Sequence, residues 1–263
     1  MGVELLCLQE ARHLVNRSSK YWIAVGPLYA STVITPMTAQ VARAAYFFCR
    51  HIDDILDGDR IIPYPREYVS SIQKGMEGDS GPRIVDLYKF VMNRVDGVEN
   101  DFRELIDMML FDYDRSLEKR ILTGQELRDY YRRLFFPVFD IGFRVVGSSL
   151  RGNDVSDMVE VLGRLYSIRD MEEDLSKGVI NIPKEEIKQS GVYDLSYTIV
   201  RSNSHLLRWM NVEVYKQSQE LSRQKSVLRT IGNDNGIWKS GIWVCLLLIG
   251  AMERYSKRYL QKM

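Results

Sequence analysis

Apolar side chains recur along this chain every three or four residues, and strand-like alternation is almost absent. Leu162, Leu165, Ile168 and Leu175 make one such stripe, and Ala44, Phe48 and Ile52 make another. Thr35-Pro36 reads as an N-cap followed by a first-turn proline, opening a helix that Gly58 would stop. The prolines of Ile61–Arg66 and the three glycines of Gly75–Pro82 predict loops. Further helices are expected at about 83–95, 99–118, 124–149, 153–176, 193–220 and 236–260. Thr123 and Glu126 have the spacing of a capping box. With no repeat, linker or low-complexity stretch, the pattern predicts one all-α domain over residues 1–263.

Charge and cysteine content narrow the function classes. The 36 basic and 35 acidic residues leave a net charge of +1, which excludes a nucleic-acid binder dependent on a basic field. Cys7, Cys49 and Cys245 lie far apart and are odd in number, so neither a disulfide scaffold nor a cysteine zinc site is expected. A reducing, cytoplasmic setting follows as the expectation. Glu4, Glu10 and Arg12 interrupt any apolar signal core near the start. The longest apolar run, Ile242–Met252, is bracketed by Lys239 and Glu253-Arg254, so it reads as a buried helix and not a membrane span. Trp238 and Trp243 are candidates for peripheral membrane contact.

Two acidic clusters carry the candidate chemistry. Asp53 and Asp57 are four residues apart, so on a helix they project one turn apart from one face. Two like charges there repel unless a cation lies between them, and hard oxygen donors at that spacing suit Mg²⁺ shared with a phosphate. Arg50 lies one turn before Asp53, and Tyr46 one turn before Arg50. Asp170 and Asp174 repeat the spacing, flanked by Arg169 and Glu173. Either cluster alone reads most simply as a solvated helix face; two on core helices could serve one metal-bound diphosphate.

These blocks resemble the squalene/phytoene synthase family. AAYFFCRHIDDILD (Ala44–Asp57) is similar to its first aspartate-rich helix, and IRDMEEDLSKGVINIP (Ile168–Pro183) to its second. RSSKYW (Arg17–Trp22) and LTGQELRDYYRR (Leu122–Arg133) are fainter traces. The resemblance implies an isoprenoid-synthase-type helical bundle around a central cavity, holding Mg²⁺ and an isoprenyl diphosphate. It implies Asp53, Asp57, Asp170 and Asp174 as metal-binding carboxylates, with Arg50 on the diphosphate and Tyr46 in the active site. Arg17, Lys20 and Arg169 are further phosphate candidates, and Asp54 and Glu173 are expected to support the ligands from behind. His51, turned away from Asp53 on an ideal helix, is read as structural or surface.

Departures from the family pattern bear on the product. Tyr166 stands where the second motif has an asparagine, and a phenol is a poor Mg²⁺ ligand near neutral pH. Val179 and Asn181 stand where the family has arginine and tyrosine. Phe135, Phe136 and Phe139 replace small residues along a helix containing Pro137, predicting an aromatic cavity wall that includes Tyr166. The expectation is prenyl transfer from an allylic diphosphate, with a non-standard product or a second small-molecule acceptor. Ordinary head-to-head condensation, terpene cyclisation and a non-catalytic scaffold are the alternatives.

Overall fold

Every regular element among the described residues is helical. The computed structural model describes residues 2–18, 21–33, 35–78, 80–235 and 241–261, with the backbone alone at 23, 24 and 233–235. In chain order the α-helices are α1 (Val3–Arg17), α2 (Trp22–Ala30), α3 (Pro36–Leu56), α4 (Pro65–Glu77), α5 (Val85–Met92), α6 (Glu99–Glu118) and α7 (Gly124–Val145). They continue as α8 (Ser156–Arg169), α9 (Met171–Ser176), α10 (Lys184–Ser190), α11 (Tyr197–Ser202), α12 (Ser204–Asn235) and α13 (Ile242–Leu260). Short 3₁₀ turns occupy Ser31–Val33 and Gly152–Val155. The chain divides into two compact units, residues 1–110 with 140–146 and residues 111–139 with 147–263.

The first unit is built on α3. Ala44, Phe47, Phe48, Ile52 and Ile55 are fully buried on that helix, each large one contributing about 1.5–3 kcal/mol. Phe48 meets the edge of Phe102 at 5.5 Å and packs against Tyr88 at 5.5 Å, joining α3 to α6 and α5. Arg43, almost wholly buried, gathers three elements: it donates to the Leu28 carbonyl at 3.0 Å, pairs with Glu4 at 3.1 Å and lies over the Tyr29 ring. The helix stops as its sequence predicts, with Asp57 as C-cap and Gly58 following at φ +75°.

The second unit packs α8 against α12 and α13. Leu162, Leu165, Met210, Val214, Ile249 and Met252 supply buried apolar surface. Arg164 bonds Glu213 at 2.6 Å, tying α8 to α12, and Lys225 bonds Glu253 at 2.5 Å, tying α12 to α13. A Cβ on Gly163 would sit 2.5 Å from the Tyr131 ring, so glycine lets α7 and α8 approach there, where Ser167 also donates to the Tyr131 hydroxyl at 2.8 Å. Cys7 in the first unit and Cys245 in the second are both inaccessible, and burial pushes each thiol up to about 12.

The expected helices over 99–118 and from 124 onward are present, and the Thr123–Glu126 capping box forms with both reciprocal bonds. Four elements depart from the expected bounds. α7 runs through Pro137 and ends at Val145, before Gly147 at φ +74°. The loop expected over Ile61–Arg66 already contains the start of α4, because Pro65 occupies the first helical turn, where its missing N–H costs nothing. The single helix expected over 153–176 opens as a 3₁₀ turn and leaves helical geometry at Asp170. The one expected over 193–220 is interrupted at Asn203, whose side chain accepts from the amides of His205 and Leu206 and starts α12 afresh. The last expected helix begins at Ile242, and residues 236–240 lie outside the described residues.

Candidate functional site

The first acidic cluster belongs to the last two turns of α3. Asp54, 1% exposed, forms ion pairs with Arg50 at 2.7 Å and with Arg17 of α1 at 2.8 Å. Arg50 also pairs with Asp53 one turn on, and its guanidinium lies over the Tyr21 ring at 5.1 Å while donating to the Tyr21 hydroxyl at 2.8 Å. Arg17 reaches Asp59 at 3.1 Å and also binds the Tyr21 hydroxyl. Burial opposes the charge on Arg50 more than any other single influence, but Asp53 and Asp54 outweigh it and hold its pKa above the ordinary arginine value. Tyr46, whose ring meets the edge of Phe47, is pushed up by burial, with Arg50 pulling weakly the other way. Its hydroxyl is therefore neutral near neutral pH. Asp57 is exposed at the helix end.

Behind this cluster lies a second charged layer. His51 is buried, with Nδ1 3.2 Å from Glu10 and Nε2 3.4 Å from the Tyr68 hydroxyl, so of the two readings, structural or surface, it is the structural one. Arg60 bonds Glu10 at 2.6 Å, and its amide donates to the Asp54 carbonyl at 2.7 Å.

The second acidic cluster straddles the break between α8 and α9. Asp170 serves as C-cap of the one and N-cap of the other, so Asp170 and Asp174 do not share an uninterrupted helix. They nonetheless stay one turn apart, because the Asp174 amide bonds the Asp170 carbonyl at 2.9 Å. Arg169 chelates Asp170 with Nε at 2.7 Å and Nη2 at 2.5 Å, and lies 4.5 Å over the Tyr166 ring. Tyr166 in turn stacks on Phe135 at 6.0 Å and 20° between planes. Burial raises the Tyr166 hydroxyl, which leaves the phenol still further from an anionic metal ligand. Asp174 accepts from Asn181 at 2.9 Å, and Asn181 accepts from Arg115 at 2.8 Å.

The structure therefore gathers Arg17, Arg50, Asp53 and Asp54 in the first unit, and Phe135, Tyr166, Arg169 and Asp170 in the second. Phe139 is buried, Phe136 backs closely onto Gly152, and Glu173 is exposed beside Lys177 at 3.3 Å. Lys20 and Trp238 lie outside the described residues, and Trp243 is half-buried. Sequence spacing did not single out Tyr21, Asp59, Glu10 or Arg115. For Arg115 a signal existed: it continues the row Leu105, Met108 and Asp112 along α6, which places a cation on an apolar face.

Each cluster supplies carboxylate oxygens from its motif aspartates, the hard donor chemistry that suits Mg²⁺. Among the described residues, no three His, Cys, Asp or Glu side chains are grouped so as to hold a metal by themselves. Mg²⁺ commonly relies on one or two carboxylates plus water and substrate phosphate, so the residues present fit that mode.

The squalene/phytoene synthase family model matches residues 28–221, which include both acidic clusters. This chain belongs to the squalene/phytoene synthase family. Membership places it among prenyl-transferring synthases. It is 29% identical over 198 residues to a presqualene diphosphate synthase of Rhodopseudomonas palustris, covering 70% of this chain and 68% of that protein. To a presqualene diphosphate synthase of Sinorhizobium fredii it is 25% identical, covering 70% of this chain and 66% of the relative, so the matched region spans about two thirds of each. Among solved structures, it is similar to squalene synthase HpnC from Alicyclobacillus acidocaldarius, with TM-score 0.63, 16% identity and 96% of both chains covered. A dehydrosqualene synthase solved with a ligand gives TM-score 0.60 at 14% identity, covering 97% of this chain and 99% of that one. These likenesses show the all-α isoprenoid synthase fold. No described helix is long and apolar enough to cross a membrane.

Proposed function

We propose that this family member is a Mg²⁺-dependent prenyltransferase that ionises an allylic isoprenyl diphosphate and stops after the first carbon–carbon condensation. The observation that carries this reading is the repeated pairing of an arginine with a motif carboxylate: Arg50 with Asp53, and Arg169 with Asp170. In each pair the guanidinium neutralises a carboxylate that would otherwise repel its neighbour one turn away. When substrate arrives, Arg50 and Arg169 transfer to phosphate oxygens, for which their planar donors are suited. The freed carboxylates of Asp53 and Asp170, together with those of Asp57 and Asp174, would hold Mg²⁺. The metal, when bound, draws charge from the departing diphosphate. Tyr46, held neutral by burial, donates a hydrogen bond and does not remove a proton.

The acceptor under this reading is the double bond of a second isoprenyl diphosphate. C1 of the ionised unit bonds to both carbons of that double bond, one diphosphate and one proton leave, and a cyclopropyl diphosphate forms. Two relatives named as presqualene diphosphate synthases support this acceptor. Val179 and Asn181, in place of the arginine and tyrosine expected for the later rearrangement, fit a reaction that ends there. A second reading, an aromatic or other small-molecule acceptor, draws support from the stacked Phe135–Tyr166 pair.

The test is incubation of the full chain with C5 to C20 prenyl diphosphates and Mg²⁺, followed by phosphatase treatment and analysis of extracts. A C30 or C40 cyclopropyl alcohol is expected, and diphosphate release should fall at least about 100-fold in Asp53→Asn and in Asp170→Asn, on the scale of losing an electrostatic transition-state contact. A symmetric C30 or C40 hydrocarbon without reductant would overturn the early stop. Unchanged release in either variant would overturn the metal assignment.

A further inference from the structure

We infer that Arg115, acting through Asn181, positions the Asp174 carboxylate, so that a buried arginine of α6 sets the metal affinity of the second acidic cluster. The inference rests on the reading of Asp174 as a metal-binding carboxylate.

Arg115 cannot meet substrate itself. Its side chain is fully buried, its Nη2 is paired with Asp112 at 2.9 Å, and its guanidinium lies 4.6 Å from the Tyr130 ring centre. The Tyr130 hydroxyl donates to the same Asp112 carboxylate, closing the pocket behind the cation. One direction leads outward, from Nη2 to the Asn181 side-chain oxygen at 2.8 Å. The Asn181 amide nitrogen then donates to Asp174 Oδ2 at 2.9 Å.

The two ends of this relay fix the amide's orientation. A guanidinium offers only donors and a carboxylate only acceptors, so the opposite flip of Asn181 would set N–H against N–H and oxygen against oxygen. The backbone reinforces the register. Gly178 has φ +83°, and a Cβ there would sit 2.6 Å from the Ser116 carbonyl oxygen, so the loop carrying Asn181 lies directly on the end of α6. The Val179 amide returns to the Asp174 carbonyl at 2.9 Å. Asp174 is thus aimed from both its main chain and its side chain by one helix end and one loop. Partners of this kind hold a ligand's orientation, and losing one typically weakens metal affinity by roughly 10–100-fold.

Asn181→Leu keeps the shape and removes both bonds, and its site on a partly exposed loop leaves the core intact. Arg115→Met removes the anchor. Calorimetric titration of the full chain with Mg²⁺ and inorganic diphosphate should show affinity reduced by roughly 10-fold or more in Asn181→Leu. In turnover, half-saturating Mg²⁺ should rise by a similar factor, with kcat at saturating Mg²⁺ within about threefold of wild type. Because the two residues act in series, the double variant should bind no more weakly than the weaker single variant. Should Arg115→Met fail to fold, the calorimetry of Asn181→Leu alone decides. A folded Asn181→Leu with wild-type Mg²⁺ dependence would overturn the inference while leaving the proposed function standing. A wild-type chain that neither binds Mg²⁺ with diphosphate nor releases diphosphate from any prenyl substrate would overturn the proposed function, and this inference with it.

Discussion

The two acidic clusters share a spacing and differ in construction. In the first, the motif sits at the end of a 21-residue helix, and its middle aspartate, Asp54, is sunk between Arg17 and Arg50. In the second, the motif begins at a break between a 14-residue helix and a six-residue one, and its central pair, Arg169 with Asp170, is more than a third exposed. The first cluster is therefore part of its unit's stability, whereas the second hangs on a helix end and a loop. Identical sequence spacing can serve as a foundation in one place and as an adjustable fitting in another.

The widest gap between them should appear in stability. Asp54→Ala leaves two guanidiniums facing a buried void, which should cost about 3–5 kcal/mol, the range for breaking a buried ion pair. Asp170→Asn breaks an exposed pair and should cost about 1 kcal/mol or less, even as it removes activity. Urea denaturation of both variants makes the comparison; equal losses would erase the distinction drawn here.

A smaller effect isolates the loop behind the second cluster. Gly178→Ala forces a side chain into the left-handed region and against the Ser116 carbonyl. We expect about 1–3 kcal/mol of strain, together with a higher half-saturating Mg²⁺ in turnover. The equivalent backbone turn behind the first cluster, Gly58 at φ +75°, has open space around it, so Gly58→Ala should pay for conformation alone. Thermal melts of the two variants side by side measure the difference.

The smallest expected effect concerns pH and belongs to the first unit. Burial, helped by Arg60, holds His13 below its ordinary value of 6.5. Glu10 is held below 4.5: burial, the largest single influence, pushes it up, but His51 and Arg60 together outweigh it. A group with a depressed folded pKa stabilises above its unfolded pKa and loses that contribution as pH falls toward the folded one. Melting temperature should therefore begin to fall as pH drops below 6.5, and fall further below 4.5. His13→Asn should flatten the upper part of that slope, and an unchanged slope would remove His13 from the account.

Much of the scaffold was legible because helical periodicity and caps are local. Ala44, Phe48 and Ile52 announced α3, and Thr123 with Glu126 announced the start of α7. α1 and α2 were not marked out. α2 carries no charged residue and has nearly uniform hydrophobicity, so no face stands out. Spacing located both acidic clusters but could not rank adjacent carboxylates. Which of Asp53 and Asp54 turns inward depends on Arg17, far back in the chain, and on the row Phe47, His51, Asp54 that α3 buries. The break at Asp170 likewise escaped notice, since nothing in Arg169-Asp170-Met171 breaks a helix locally. Asn181 looked like a lost tyrosine; only its two partners give it a part of its own.

The buried thiols give the molecule a pair of built-in clocks. Cys7 and Cys245 are shielded from solvent and held protonated at neutral pH, one in each unit. An alkylating reagent can reach either sulfur only when its helix swings away or melts. Following the two modifications separately by mass spectrometry would time the opening of each unit, and would tell whether diphosphate slows both openings or only one.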